Sequence, residues 1–289
     1  MRDDDSNPPS GITRHGSPIP FGKDLQLRIH GPAAAPTLIH LPGLHGDWTL
    51  LAPFRQALGN RARFIETAYP HQPDWQLRDY AAAVETALLE RGITSGWILG
   101  ESFSSQVAWA FLERQQLAGN AARFRIEGLI LVGGFVRHPW PWGVRLAHAA
   151  SKRASVGFIR RACTFYARTM SKRFGHCPGA AEEFAEFVEN RACDPDRHTI
   201  TGRYLLIAGN HPATIARATR LPVYHLTGGW DPIVPWWHVR PWLRKHCPGY
   251  CESRIIWSGD HNILLSSPEK SAEQILAWVG NHSAATSPP

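Results

Sequence analysis

Seven short runs rich in β-branched and aromatic residues recur along the chain, at 25–29, 37–41, 64–68, 97–99, 129–132, 223–226 and 255–257, each bounded by Gly, Pro or Asn. Between most of them lie segments whose apolar residues return every three or four positions. In 79–92, Tyr80, Val84, Leu88 and Leu89 form one such stripe, which stops at Gly92. Residues 267–280 repeat the pattern, with Ser267 as N-cap, Pro268 in the first turn and Gly280 as the stop. A strand that reaches the next one through a helix pairs with it in parallel, and the crossing helices cover both faces of the sheet. The alternation predicts an α/β chain: a mainly parallel open sheet with helices on both faces.

The rhythm breaks once. From 137 to 221 no strand pattern appears, and the segment reads as several helices, for instance through Val156, Ile159, Cys163, Tyr166 and Met170. An insertion of that length between two strands predicts a helical cap over the strand ends. The expected organisation is a core of 19–136 and 222–281, a cap of 137–221, a disordered polar tail at 1–18 and a flexible tail at 282–289.

One strand-to-helix junction carries chemistry. In GWILGESFSSQVAW (96–109), a strand ends at Leu99 and helical spacing resumes through Val107, Ala110 and Phe111. A turn this sharp lifts its central side chain above the sheet edge, toward a helix N-terminus. Strand and helix nearly touch there, so the residues two before and two after the centre must be small. Gly100 and Ser104 meet that demand around Ser102; centring the turn on Ser104 would require Gln106 to fit the crossing, and glutamine is too large. Ser102 is the candidate nucleophile. A small-x-Ser-x-small pattern alone is a weak signal and needs partners elsewhere.

Those partners follow in order. LPVYHLTGGWDPIVP contributes Asp231 just after a strand, and IIWSGDHNILLSSPEKSAEQILAWV contributes His261 after the last one. With the serine turn, these segments resemble the serine α/β-hydrolase superfamily of esterases, lipases and thioesterases, from about 36 to 279 apart from the cap. The resemblance implies an α/β-hydrolase fold with its cap inserted between the sixth and seventh strands. It implies a triad of Ser102, Asp231 and His261. In LIHLPGLHGDW it implies an oxyanion loop, whose Leu44 N–H would join that of Phe103. The chain departs from the family at ETAYPHQPDW, where an Asp-x-Pro-Gly-x-Gly pattern usually stands, and at Phe103 and Ser104, where a smaller pair is usual.

Each residue has a plainer reading. His261 is one of fifteen histidines, and Asp231 before Pro232 could only start a turn. The conjunction favours chemistry, because the local patterns all fall at strand ends and in one order. His45 and Asp47 read as loop or pocket residues and stay outside the catalytic set. Trp140, Trp142 and Trp230 lie where loops at the strand ends would line a pocket for an apolar acyl or aryl group.

Charge and cysteine usage narrow the class. The net charge of +7 is carried by residues 137–221, whose balance is +8 against −1 for the remainder, and no acid lies between Gly143 and Ala181. A charge run is usually a solvated face; the sharper expectation is an acidic carrier or an anionic surface as partner. No nucleic-acid motif accompanies it. Five cysteines, an odd number without paired spacing, are expected as free thiols, and Cys177, Cys193 and His198 lack a fourth ligand for zinc. No metal or organic cofactor is expected. With no membrane-length apolar run and no apolar export signal at the start, a soluble cytoplasmic protein is expected. The reading is a serine esterase acting on a small-molecule ester through an acyl-enzyme on Ser102. A thioesterase or acyltransferase using a coenzyme A or carrier-linked acyl group is the alternative, and a non-catalytic ligand-binding receptor is the alternative of another class.

Overall fold

The computed structural model describes residues 24–174, 183–185, 187–188 and 194–286. Seven strands form one sheet: β1 (Gln26–His30), β2 (Thr37–Leu41), β3 (Arg63–Ala68), β4 (Ser95–Glu101), β5 (Arg125–Val132), β6 (Val223–Gly228) and β7 (Tyr250–Ile256), in the order β1-β3-β2-β4-β5-β6-β7. Only β1 runs antiparallel to its neighbour β3; every other pair is parallel. Helices α1 (Ala52–Leu58), α2 (Leu77–Glu90) and α3 (Ser104–Ala118) make the first crossovers.

The period-two strand pattern sorts side chains into two cores. On β4, Ile98 faces a cluster with Val84, Leu88 and Val107 from α2 and α3. Its neighbours Trp97 and Leu99 face the opposite cluster, with Phe54 and Leu58 of α1. β5 alternates likewise, Leu129 and Leu131 toward one side, Ile130 and Val132 toward the other. Burial on both faces is why these strands read as continuous apolar runs.

Strand boundaries differ from the sequence expectation mostly at the polar ends. β7 begins at Tyr250 rather than 255, because its leading residues lie exposed or half-buried on an edge strand and lack an apolar signature. β5 likewise gains Arg125–Gly128 through parallel pairing with β4.

Between β5 and β6 the described residues hold α4 (Pro141–Arg153), α5 (Val156–Phe174), α6 (Asp194–Gly209) and α7 (Ala213–Ala218). Counted over the described residues, the flanking strands are therefore the fifth and sixth, not a sixth and a seventh. After β6 come α8 (Trp236–His246), α9 (Ile263–Ser266) and α10 (Pro268–Thr286). α10 starts at Pro268 as expected but continues through Gly280, which keeps a right-handed φ and meets no neighbour, so nothing there stops the helix. Gly92, by contrast, takes φ +68 just past α2. No described helix is long and apolar enough to cross a membrane. Cys247 and Cys251 are free; Cys177, Cys193 and the 1–18 tail lie outside the described residues.

Candidate active site

The strand order reverses between β2 and β4: β3 lies beyond β2, whereas the chain returns from β3 to place β4 on the other side. A crevice opens outside the carboxyl ends of such a strand pair. The loop after β2 carries Gly43 and Leu44, and β4 ends at Glu101 with Ser102 next.

Ser102 has φ +47, one of two positive-φ non-glycine residues in the described chain. An L side chain is strained there, and the surrounding contacts hold it. Its N–H donates to Val132 O (2.9 Å), and a Cβ on Gly100 would stand 2.9 Å from Ser104 O and 3.1 Å from Ala108 Cβ. The hydroxyls clustered around it are committed to structure. Ser104, wholly buried, donates to Pro42 O and meets Tyr69 OH at 2.7 Å; Ser105 Oγ donates to Ser102 O (2.7 Å) and accepts from Phe135 N–H (3.1 Å).

Ser102 Oγ lies 2.9 Å from His261 Nε2, and His261 Nδ1 lies 2.8 Å from Asp231 Oδ2. A carboxylate oxygen only accepts, so Nδ1 carries the proton and Nε2 is left to accept from the serine hydroxyl. Asp231 is fixed through its other oxygen, which accepts from Ile233 N–H and Val234 N–H at 2.8 Å each. Burial opposes the imidazolium, yet the charge and hydrogen bond of Asp231, aided by Glu101 and Asp260, outweigh it and hold His261 above the ordinary imidazole value. Asp260 is itself pushed up by burial and accepts from Tyr166 OH at 3.0 Å, a contact from α5 to the histidine loop.

Leu44 lines the cavity beside Ser102, and Phe103 heads α3; among the described residues neither N–H makes a hydrogen bond. Two groups that sequence reasoning missed brace this loop. Glu101 Oε2 accepts from Gly43 N–H (3.2 Å) and meets His40 Nε2 (3.0 Å); despite burial, its hydrogen bond and charge contact with His40 lower its pKa to about 2. Arg203 of α6, only 1% exposed, donates to Leu44 O (2.8 Å) and Tyr80 OH (3.3 Å). The rings of Tyr69, Tyr80 and Phe103 surround its guanidinium at 5.4 to 5.7 Å, and no described carboxylate pairs with it. A buried unpaired cation is costly, which ties α6 to the backbone of the loop after β2. No sequence signal marks it, because Arg203 is one of fourteen basic residues in 137–221.

A cavity of about 660 Å³ opens over Ser102 and His261. Trp140 lines it; Trp142 and Trp230 do not, being 67% and 52% exposed. Trp142 stands two residues beyond Trp140 on the start of α4, where a 100° step per residue turns it to the other side. Trp230 is held at the surface by its loop, where its backbone N–H donates to Gly259 O. His138 also lines the cavity; burial and the neighbouring His261 lower its pKa to about 4, and its Nδ1 accepts from Trp140 N–H. Among the described residues no group of three or more His, Cys, Asp or Glu is arranged to hold a metal.

A seven-stranded, mainly parallel sheet with a positive-φ serine at the strand-to-helix turn after its central strand defines the α/β-hydrolase fold, and this chain has it. No family model and no curated protein sequence matches the chain. Solved structures do. An esterase from Thermogutta terrifontis is 19% identical, with 89% of this chain and 93% of that one covered and a TM-score of 0.68. A hydrolase from Pseudomonas aeruginosa is 15% identical, covering 89% and 94%, with a TM-score of 0.71. A bromoperoxidase from Bacillus anthracis is 11% identical, covering 89% and 95%, with a TM-score of 0.68. One fold thus serves several chemistries, and the site must decide between them.

Proposed function

We propose that the protein is a serine esterase that cleaves a carboxylic ester with an apolar acyl group through an acyl-enzyme on Ser102. The observation that carries this reading is the continuous hydrogen-bonded line from Ser102 Oγ through His261 to Asp231, raised on a positive-φ turn at the floor of an apolar cavity. The likeness of the fold to esterases supports it.

In this reading His261 Nε2 takes the hydroxyl proton as Ser102 Oγ bonds to the ester carbonyl carbon, and the carbonyl becomes a tetrahedral oxyanion. The N–H groups of Leu44 and Phe103 receive that oxyanion, each donor worth about 3 kcal/mol in comparable sites. The intermediate collapses, His261 returns the proton to the departing alkoxide, and the alcohol leaves. Water repeats the sequence on the acyl-enzyme, releasing the acid and restoring the serine. Asp231 holds the imidazole tautomer and stabilises its charged form.

A thioester or an acceptor other than water would use the same acyl-enzyme, so the leaving group is a matter for the cavity. For the outer surface we favour an anionic lipid interface. Trp142, Leu146 and Phe165 are 65 to 73% exposed on α4 and α5, interleaved with Arg145, Lys152, Arg153 and Arg161, the pairing of apolar and basic groups that suits a headgroup boundary.

Treatment with a fluorophosphonate probe followed by peptide mapping tests the chemistry. Label on Ser102, lost in Ser102→Ala together with turnover of a 4-nitrophenyl ester, is the expected result. Label on another serine overturns the site, and no label with retained ligand binding favours a receptor.

A further inference from the structure

Three helices wall the cavity, each with one face. α4 contributes Val144, Ala147, Ala150 and Ala154 just past its end; α6 contributes Ile207, Tyr204, Ile200 and Arg197; α5 contributes Ala162 and Phe158. Every step within a set is three or four residues, the spacing of a single helix face. α4 and α6 run antiparallel in register. Ser151 Oγ meets Thr201 Oγ1 at 3.0 Å, and Arg197 Nη1 reaches Ala154 O at 3.4 Å, which sets Val144 level with Ile207.

The Ile207 end is the reactive end. Asn210, just beyond it, donates to Gln106 Oε1 on α3 at 2.8 Å, Arg203 grips Leu44 O, and Tyr166, one step past Ala162 on α5, reaches Asp260 beside His261. The Ala154, Arg197 and Phe158 end is therefore the far one. Ten residues separate the two ends on both α4 and α6, about 15 Å at 1.5 Å per residue. Ala147, Ala150, Ala154 and Ala162 present methyl groups to this space, beside Ser151 of α4 and opposite the larger Tyr204, Ile200 and Arg197 of α6; toward the far end it is a groove open to solvent, with Ala150 and Ala162 exposed and Phe158 64% exposed.

Resting on the ester-cleaving reading, we propose that this space is a straight channel for an unbranched acyl chain of about ten to twelve carbons. Its carbonyl would lie at Ser102 and its methyl end between Ala154 and Phe158. An extended chain advances about 1.2 Å per bond, so a length of 15 Å holds about twelve bonds. The lining alanines then act as marks along a ruler, and filling each in turn shortens the longest chain accepted.

The test is a chain-length series of 4-nitrophenyl esters, acetyl to hexadecanoyl, kept below their aggregation concentrations. In the wild type, kcat/KM is expected to rise about two- to fourfold per methylene and to level off near twelve carbons. Ala147→Phe, Ala150→Phe and Ala154→Phe should each lower the dodecanoyl-to-acetyl ratio of kcat/KM tenfold or more, with cut-offs ordered 147 shortest and 154 longest. The ratio is read within one protein, so a general loss of folded material does not move it. A second readout is independent of turnover: Ser102→Ala protein should bind dodecanoate in a displacement assay, and adding Ala150→Phe should abolish that binding. Cleavage of acetyl esters without any rise with length, an unchanged ratio in all three variants, or a preference for a bulky aryl acid over dodecanoate overturns the channel while leaving the esterase reading intact. Dodecanoate binding blocked by Ala150→Phe, in a protein that cleaves no ester, keeps the channel and sinks the esterase reading.

Discussion

At the scale of single residues, the site depends on which nitrogen of His261 is bare, and Asp231 decides that. An imidazole held above its ordinary pKa by Asp231, Glu101 and Asp260 must lose its proton before it can act as a base. Activity should therefore fall as pH drops, with the acid limb of kcat/KM above the usual imidazole range. In Asp231→Asn the strongest of the opposing charges is gone, so the limb should move to lower pH, only in part because Glu101 and Asp260 remain. The amide can also donate to Nδ1 and leave Nε2 protonated, the wrong tautomer, so kcat should fall by about a thousandfold or more. A pH–rate profile of both proteins checks this, and a limb that stays in place would remove Asp231 from its role. The same scale explains the crowd of serines at the turn after β4: Ser104 and Ser105 are spent on nearby backbone carbonyls, and Ser102 faces His261.

At the scale of elements, the turn from β4 into α3 is a collision narrowly avoided. Strand β4 and helix α3 approach so closely at Gly100 that a methyl group there would sit 2.9 Å from Ser104 O and 3.1 Å from Ser105 Cα. Gly100→Ala should cost about 1–3 kcal/mol of stability as the elements are forced apart. It should also lower kcat, since the serine no longer stands at the same height above the sheet. Thermal unfolding and steady-state kinetics on one preparation measure both, and a fully active variant of unchanged Tm would contradict the packing. This crossing was legible in the sequence because small residues two before and two after a serine leave a written trace. The reach of α6 to the loop after β2 left none: Arg203 resembles any other basic helix residue until its burial among Tyr69, Tyr80 and Phe103 is seen.

At the scale of the whole molecule, the helices between β5 and β6 present a mostly apolar face, with several alanines, to the cavity and an apolar, basic face outward. Sedimentation with vesicles tests the outer face. Binding to phosphatidylglycerol vesicles that weakens between about 50 and 500 mM salt, with little binding to phosphatidylcholine, is expected from screening of the basic residues. Indifference to the lipid, with salt-sensitive turnover of a carrier-linked substrate instead, would assign the charge to an acidic protein. The alternation of short apolar runs and helical stripes by itself determined the class of fold, because parallel strands buried on both faces cannot be written in any other pattern. It also determined the residue types at the strand ends, since a turn that sharp admits few side chains. Only the tertiary structure decided which residues meet: it brought His261 within 2.9 Å of both Ser102 and Asp231 and placed Trp140, but neither Trp142 nor Trp230, on the cavity wall. It alone turned scattered alanines into part of the lining of one cavity. Contacts between residues far apart along a chain depend on how helices dock on the sheet, and docking is set by the summed shape of many side chains rather than by any local pattern.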